Sequence, residues 1–229
     1  MGKTILKLLR KVGEELLDII YPREEKCIIC QTEGFVGICD YCRSKIKNVN
    51  LANKEAISYG VYGGILKRLI LEFKYSKNFI AGEVLSKFIL EIINKNEIKA
   101  DVICYVPMTK SAIKNRGFNQ CKFIAYKIGY LIDIPISNCI LKIKHTKEQK
   151  TLSKDERRIN VEGAFKIKDN RDIFNKVVIL IDDVMTTGST INECKKILKN
   201  NGLPDCDIVI VDESQRIYES QYNNLIKEV

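Results

Sequence analysis

The sequence predicts an α/β protein in which a mainly parallel, twisted sheet carries helices on both faces, preceded by a small four-cysteine element. Short β-branched apolar runs, typical of strands buried on both sides, alternate with segments whose apolar residues recur at helical spacing. Two C-x2-C pairs stand close together ahead of these segments. The 229 residues are enough for one sizeable core with a small attachment.

Residues 1–22 are predicted to form an amphipathic helix. Its apolar side carries Ile5, Leu9, Val12, Leu16 and Ile20. Lys7, Arg10 and Lys11 interrupt the apolar pattern, so the segment predicts neither a transmembrane span nor the core of a signal peptide. The expected location of the protein is therefore the cytoplasm.

Residues 23–50 are predicted to be a zinc-finger element. Cys27, Cys30, Cys39 and Cys42 form two C-x2-C pairs that eight residues separate. Four thiolates at this spacing favour a tetrahedral structural Zn²⁺ site, and the metal would supply folding energy that so small an element lacks. A redox pair or an iron–sulfur cluster is the alternative. The other cysteines lie in apolar patterns and are predicted to be small core residues: positions 104, 121, 139, 194 and 206.

Residues 51–229 are predicted to form the α/β domain. The predicted strands lie near residues 57–62, 100–106, 139–144, 163–167, 177–181 and 207–211. The predicted helices follow Gly63-Gly64, span about 79–94, run from RGFNQ at 116–120 to about 132, and begin near residue 190. Ser189 or Thr190 is expected to cap the last of these helices.

The stretch VVILIDDVMTTGST, residues 177–190, carries the clearest functional signal. A buried strand opens on Asp182 and Asp183, and a hydroxyl-rich loop then leads into a helix. That loop consists of Thr186, Thr187, Gly188, Ser189 and Thr190. The free N–H groups and the positive dipole end of a helix start favour a phosphate, and Gly188 lets the backbone approach it closely. Two carboxylates beside a phosphate are understandable if the ligand also offers hydroxyl groups, as a ribose 5-phosphate does.

This motif resembles the phosphoribosyl-pyrophosphate (PRPP) signature of type I phosphoribosyltransferases, an apolar strand followed by D-D-x-x-x-T-G-x-T. The resemblance implies that Asp182 and Asp183 hold the ribose hydroxyls and that residues 186–190 cradle the 5-phosphate. It also implies that Mg²⁺ arrives with PRPP. A strand-to-helix turn with a polar cap and solvated aspartates is the alternative.

A second loop is predicted at the carboxyl end of the strand at 100–106, where Pro107 stops the strand and PMTKS begins. Ligands of open α/β sheets bind at such ends. The basic residues predicted to meet a pyrophosphate there are Lys110, Lys114 and Arg116, and Thr109 joins them as a substrate-binding candidate. The alternative is a solvated basic loop.

The net charge of +9 is unevenly distributed, with +5 over residues 1–99, +7 over 100–170 and −3 over 171–229. A basic middle that faces an acidic motif indicates an anionic ligand between them, although a nucleic-acid footprint or a solvated lysine surface produces the same excess. Residues 142–158 carry seven basic and three acidic residues, which predicts a mobile lid over a polyanion or a surface hairpin. His145, within this stretch, is predicted to be a surface histidine.

Further features carry a resemblance to a narrower family. The cysteine pairs follow LLDIIYP, a Tyr-Gly pair stands at 59–60, RGFNQ occupies 116–120, and Gln149, Arg157 and Asn160 lead to GAF. Together with the PRPP motif they resemble the ComF family of competence-associated proteins, from about residue 16 to 213. The resemblance implies a zinc-binding element on a phosphoribosyltransferase-like domain. It also implies a role in taking up transforming DNA at the inner face of the cytoplasmic membrane, beside a competence DNA translocase.

The residues leave two functions open. An enzyme would transfer ribose 5-phosphate from PRPP to an unidentified nitrogenous base and release pyrophosphate. A nucleic-acid-binding module would keep the PRPP pocket as a sensor or phosphate grip and bind single-stranded DNA through Tyr59, Tyr62 and Tyr75. Their neighbours are basic: Lys67, Arg68, Lys74 and Lys77. Core packing explains the same tyrosines equally well. The sequence contains no dinucleotide, P-loop or zincin motif.

Overall fold

The structure, a computed structural model, describes residues 24–48, 56–144, 146, 154–169, 171–185, 188–203 and 206–213. For residues 154, 155, 157 and 206–213 it describes the backbone alone. The predicted helix at 1–22, His145 and residues 147–153 of the predicted lid lie outside this part of the chain.

Strands of the described chain form two sheets. They are β1 (Ile57–Val61), β2 (Val102–Tyr105), β3 (Ile136–Ser137), β4 (Ile140–Lys142), β5 (Phe165–Ile167), β6 (Val178–Met185) and β7 (Cys206–Glu213). Five of them form a parallel sheet in the order β1-β7-β6-β2-β3, while β4 and β5 pair antiparallel. The predicted parallel sheet is confirmed. The sequence analysis misses β3, which is too short to show a pattern.

Helices flank this sheet. They are α1 (Asp40–Ser44), α2 (Gly64–Tyr75), α3 (Phe79–Lys95), α4 (Lys110–Arg116), α5 (Gln120–Ile132), α6 (Lys154–Val161) and α7 (Ser189–Asn200). Asparagines cap two of the longer helices. The side chain of Asn78 accepts a hydrogen bond from the N–H of Ala81 at the start of α3, and Asn119 accepts one from Lys122 at the start of α5.

The central strands are buried on both faces, as their continuous apolar runs predict. Ile103, Ile179 and Ile181 contribute to a core that α2, α3 and α5 cover. Val178 and Leu180 contribute to a second core, shared with α7 and the β4–β5 pair. The alternation of residues along β6 between the two cores confirms that helices cover both faces of the sheet.

Two local predictions were wrong. The loop after β2 is short, because Thr109 accepts a hydrogen bond from the N–H of Ala112 at 3.2 Å and so caps α4 where a basic loop was expected. Neither Ser189 nor Thr190 caps α7. The N-cap residue is Gly188, at a φ of 72°, without a side-chain hydrogen bond, and α7 starts at Ser189. A glycine in the left-handed region turns the chain directly into the helix.

The four-cysteine element packs against the α/β domain through α3. Gly37 lies so close to this helix that a Cβ atom there would be 2.7 Å from a methyl group of Val84. Arg43, in α1, donates to the carboxylate of Glu91 at 2.7 Å, and its guanidinium lies 5.7 Å from the ring centroid of Phe88. Backbone proximity and an ion pair therefore fix the element to the domain.

The chain leaves β2 and β6 in opposite directions. From β2 it passes through α4 and α5 to β3 on one side, and from β6 it passes through α7 to β7 on the other. Because β2 and β6 are neighbours, a crevice opens between their carboxyl ends, which is where open α/β sheets bind ligands. The two predicted site loops, which begin at residues 107 and 186, follow these two strands in the chain.

Candidate functional site

The aspartate pair lies inside β6, which continues past the predicted end of the strand. β6 pairs with β2 only as far as Ile181, but it continues to pair with β7 as far as Met185. Asp182 and Asp183 therefore stand where β2 has already ended, at the edge of the crevice. Asp182 is buried and Asp183 is half-buried.

Asp183 makes an ion pair with Lys74 of α2. The distance from Lys74 Nζ to Asp183 Oδ2 is 2.8 Å, and the two side chains are only 15% and 18% exposed. Sequence reasoning places Lys74 on a DNA-binding surface and misses this contact, because no local pattern connects two positions so far apart in the chain. The lysine supplies a positive charge that offsets the repulsion between the two carboxylates.

Asp182 is held by two hydrogen bonds. Its Oδ1 atom accepts from the N–H of Asp183 at 2.8 Å and from the thiol of Cys121 at 3.4 Å. Burial raises the pKa of Asp182 to about 7, helped by the charge of Asp183, whereas the two hydrogen bonds and Lys74 oppose the increase. Burial also raises the pKa of Cys121 well above its ordinary value, so the thiol remains protonated and donates. Cys121 is the core residue that its pattern predicts, but its contact with Asp182 is not foreseen.

The start of α7 provides the predicted phosphate turn, in part. Gly188 is buried in the left-handed conformation, and Ser189 and Thr190 occupy the first turn of α7 with half-buried side chains. The first N–H groups of a helix have no partner within that helix, so they suit an anion. Thr186 and Thr187 lie outside the described residues.

The predicted pyrophosphate residues lie at the two ends of α4. Thr109 is engaged as the N-cap, and Lys110 is exposed beside it. Arg116, at the other end, donates to the side-chain oxygen of Gln120 at 3.1 Å and lies 5.7 Å from the ring centroid of Tyr75. Lys110 and Arg116 are the first and last residues of α4, about 9 Å apart along its axis, so they would contact different parts of an anionic ligand.

The base of the predicted lid lies beside the acid pair. Lys142, at the end of β4, is half-buried, and burial lowers its pKa while the charge of Asp182 acts in the opposite direction. β4 and β5, the strands that precede and follow residues 143–164 in the chain, pair antiparallel. This pairing agrees with the surface-hairpin alternative. Residues Lys154–Val161, which precede β5, form α6.

The four predicted metal ligands come together. The sulfur atoms of Cys27, Cys30, Cys39 and Cys42 all lie within 4.8 Å of one another, and those of Cys30 and Cys39 are 3.6 Å apart. Four sulfurs around a tetrahedral Zn²⁺ would be separated by about 3.8 Å, so the cluster fits that ion. The N–H groups of Cys39 and Cys42 donate to the sulfurs of Cys27 and Cys39, each at 3.4 Å, which supports thiolate ligands. The cluster is compatible with a structural zinc ion.

The tyrosines predicted to stack on nucleic acid do not share one surface. Tyr59 stacks on Phe88 with ring centroids 4.1 Å apart, so it belongs to the packing of the domain. Tyr62 is half-buried beside Lys67, whereas Tyr75 is exposed beside Arg116. Of the three, Tyr75 alone is exposed.

Within the described residues, every helix is too short or too polar to cross a membrane. No family model matches the chain. Competence protein F of Haemophilus influenzae is 27% identical over 216 residues, which cover 80% of this chain and 94% of that protein. Competence protein ComFC of Streptococcus pneumoniae is 28% identical over 184 residues, or 80% and 78% of the two chains. DNA utilization protein YhgH of Escherichia coli K12 is 27% identical over 147 residues, or 62% and 64%.

Solved structures that are similar to part of this chain include two enzymes. Glutamine PRPP amidotransferase from B. subtilis, complexed with ADP and GMP, has a TM-score of 0.43 at 16% identity, covering 61% of this chain and 30% of that one. Adenine phosphoribosyltransferase from Trypanosoma brucei, in complex with AMP, pyrophosphate and ribose-5-phosphate, has a TM-score of 0.39 at 12% identity, covering 62% and 68%. This chain therefore spans less than a third of the amidotransferase.

The parallel sheet, its switch point and the acid pair followed by a glycine turn are those of the predicted class, a type I phosphoribosyltransferase-like α/β protein with an N-terminal four-cysteine cluster. The relatives narrow this class. The chain is a relative of the ComF-family competence proteins, and the predicted resemblance to that family is confirmed.

Proposed function

We propose that this protein binds PRPP in the crevice between β2 and β6 and acts in the uptake or handling of single-stranded transforming DNA in natural competence. One observation carries the proposal: the aspartate pair of β6 is followed by the Gly188 turn and the start of α7, and both lie at the switch point of the sheet. The names of the relatives, competence proteins and a DNA utilization protein, support the biological role.

Each group at the crevice has a role in this proposal. Asp182 and Asp183 accept hydrogen bonds from the ribose hydroxyls, and residues 186–190 bind the 5-phosphate through the helix start. Lys74 orients Asp183 as an acceptor through their ion pair. Thr109, Lys110 and Arg116 bind the pyrophosphate side of the ligand, with Lys142 approaching from the hairpin.

Magnesium is proposed to enter together with PRPP. Carboxylate oxygens suit Mg²⁺, which usually combines one or two protein carboxylates with the phosphates of a substrate, whereas the Cys121 thiol does not suit it. Asp182 and Asp183 therefore fit a Mg²⁺ ion that PRPP brings to the site. Mg²⁺ would neutralise charge on the pyrophosphate group.

A structural Zn²⁺ ion is proposed at Cys27, Cys30, Cys39 and Cys42. The ion would cross-link the two cysteine pairs and fix α1, and with it the contact between Arg43 and α3. We also propose a cytoplasmic location at the inner face of the membrane, beside a competence translocase. We propose the same division of the chain as before: an amphipathic helix at 1–22, the zinc-finger element at 23–50 and the phosphoribosyltransferase-like domain at 51–229.

The second candidate is a phosphoribosyltransferase that uses the same pocket. A nitrogen of the acceptor base would form a bond to C1 of the ribose as the bond from C1 to the pyrophosphate oxygen breaks, and pyrophosphate would leave with the bonding electrons. Lys142 favours this candidate, because it is half-buried and its charge interacts with that of Asp182, and a cation near the crevice would stabilise a departing anion.

Calorimetry tests the pocket. Titration of the protein with PRPP in the presence of Mg²⁺ is expected to show binding that Asp182→Asn weakens. Asp172→Asn is the matched control, since Asp172 is exposed and precedes the amino end of β6, away from the crevice. Release of pyrophosphate on adding purine and pyrimidine bases would select the enzyme over the binding protein. Absence of heat from PRPP with the wild-type protein would refute both candidates.

A further inference from the structure

An open groove of about 600 Å³ runs along α5, outside the crevice. Its aromatic lining consists of Phe79, Phe118, Phe123, Tyr126 and Tyr130. Phe79 lies 5.2 Å from Phe118 and 5.5 Å from Phe123 between ring centroids, so these three rings form a continuous floor. Phe79 is 48% exposed, Tyr126 40% and Tyr130 38%. Phe118 and Phe123 pack against the core, whereas Phe79, Tyr126 and Tyr130 extend the same aromatic surface to solvent, and contiguous exposed apolar surface of this kind marks a binding site.

Basic residues lie in and beside the groove. Lys122 and Lys127 line it, and α4, which contributes Ile113 to the lining, also carries Lys110, Lys114 and Arg116. Lys122 lies 5.5 Å from the ring centroid of Tyr126, so a cation and an aromatic face stand side by side.

Glu83 faces the same region from α3, and it pairs with Lys127 at 2.8 Å. Glu83 therefore neutralises one of the two lysines that line the groove, and Lys122 remains beside the ring of Tyr126. The groove therefore complements a ligand that is both anionic and aromatic.

One end of the groove lies near the carboxyl end of β2. Phe118 and Asn119 line the groove, and the side chain of Asn119 donates to the carbonyl of Val106, the residue that follows β2. Two residues further, the thiol of Cys121 contacts Asp182. The start of α5 therefore contributes both to the groove and to the surroundings of the aspartate pair.

We infer that this groove binds single-stranded nucleic acid, with unpaired bases stacked on the exposed rings and phosphates along the cations of α4 and α5. This inference rests on the proposed function and gives its DNA ligand a binding surface. Stacking is open to any base, because every base has a π face, and lysines follow the phosphate chain without reading its sequence. A duplex hides those base faces, so single strands are the preferred ligand.

Fluorescence anisotropy with an oligothymidine of about 16 nucleotides tests the inference. The variant Tyr126→Leu/Tyr130→Leu removes two ring faces at exposed positions and is expected to weaken binding at least tenfold. Tyr126→Phe, which keeps the ring, is expected to bind as the wild type does. Lys122→Gln is expected to lower the slope of affinity against salt by about one ion.

Tyr41→Leu is the matched control. Tyr41 is also an exposed tyrosine with a lysine over its ring, at 5.2 Å, but it lies on the four-cysteine element. The same weakening in Tyr41→Leu as in the double variant would overturn the inference.

The outcomes separate this inference from the proposed function. Undiminished DNA binding by the double variant overturns the groove and leaves PRPP binding and DNA handling standing. Failure of the wild-type protein to bind the oligonucleotide removes the DNA role itself, while PRPP calorimetry reports on the crevice alone. If light scattering shows that the double variant turns a dimer into a monomer while DNA binding is unchanged, the groove is a contact between two copies and the inference is wrong.

Discussion

Replacing Lys74 with methionine removes the cation beside the aspartate pair and keeps most of the apolar stem of the side chain. The side chains of Lys74 and Asp183 are 15% and 18% exposed, so their ion pair is intermediate between two known cases. A surface pair is worth about 0–1 kcal/mol, and disruption of a fully buried pair costs about 3–5 kcal/mol. We therefore expect Lys74→Met to lower the free energy of unfolding by about 2 kcal/mol. For a domain of this size that corresponds to a decrease in Tm of about 4–8 °C.

The loss should depend on pH. Since the pKa of Asp182 is raised to about 7, this carboxyl is mostly neutral at pH 5 and mostly charged at pH 8. Without Lys74, repulsion between the two carboxylates grows as pH rises through this range. Urea unfolding at pH 5 and pH 8 measures the effect, and the difference between variant and wild type should be larger at pH 8.

Two further variants control the experiment. Lys127→Met disrupts an ion pair of equal length, with Glu83, at a more exposed place, so it should cost less and show little pH dependence. Lys74→Met/Asp183→Asn removes both charges and should recover much of the lost stability. A cost for Lys74→Met that is the same at both pH values, with no recovery in the double variant, would refute the reasoning.

Three other predictions follow from the same contacts. Asp182→Asn should stabilise the protein more at pH 8 than at pH 5. The folded-state pKa of Asp182, about 7, lies above the unfolded value of about 4, so the wild-type carboxyl lowers the free energy of unfolding as pH rises from about 4 to 7, by roughly 2–4 kcal/mol when complete. Urea unfolding of variant and wild type across this range measures the difference. Cys30→Ser should reduce bound zinc, measured by mass spectrometry of metal content, from one ion per chain to a small fraction, whereas Cys194→Ser, on the buried side of α7, should retain it; equal zinc in both would contradict the four-sulfur site. Arg43→Leu should loosen the four-cysteine element from α3 and speed hydrogen exchange in residues 26–46 with little change in β6, because it removes the contacts with Glu91 and Phe88; unchanged exchange there would show that backbone packing alone holds the element.

Much of the fold could be predicted because its signals are local. The apolar run at 177–181 must be buried on both sides, so it predicts a central strand, and β6 lies between β2 and β7 with cores on both faces. The cysteine pairs likewise carry their meaning in their spacing. The cap predicted at Ser189 was wrong because the start of α7 depends on φ at Gly188. Helix α4 was missed because its start depends on one hydrogen bond of Thr109. Residue type determines such features only weakly.

The sequence by itself determined the α/β class, the four-cysteine cluster and the acid pair with its glycine turn, because each is written within a short stretch of chain. The tertiary structure alone decided that Lys74 and Cys121 contact the aspartates and that Tyr59 packs against Phe88. It also decided that rings from α3 and α5 line one basic groove. Such contacts join residues distant in sequence, and the packing of the helices on the sheet brings them together.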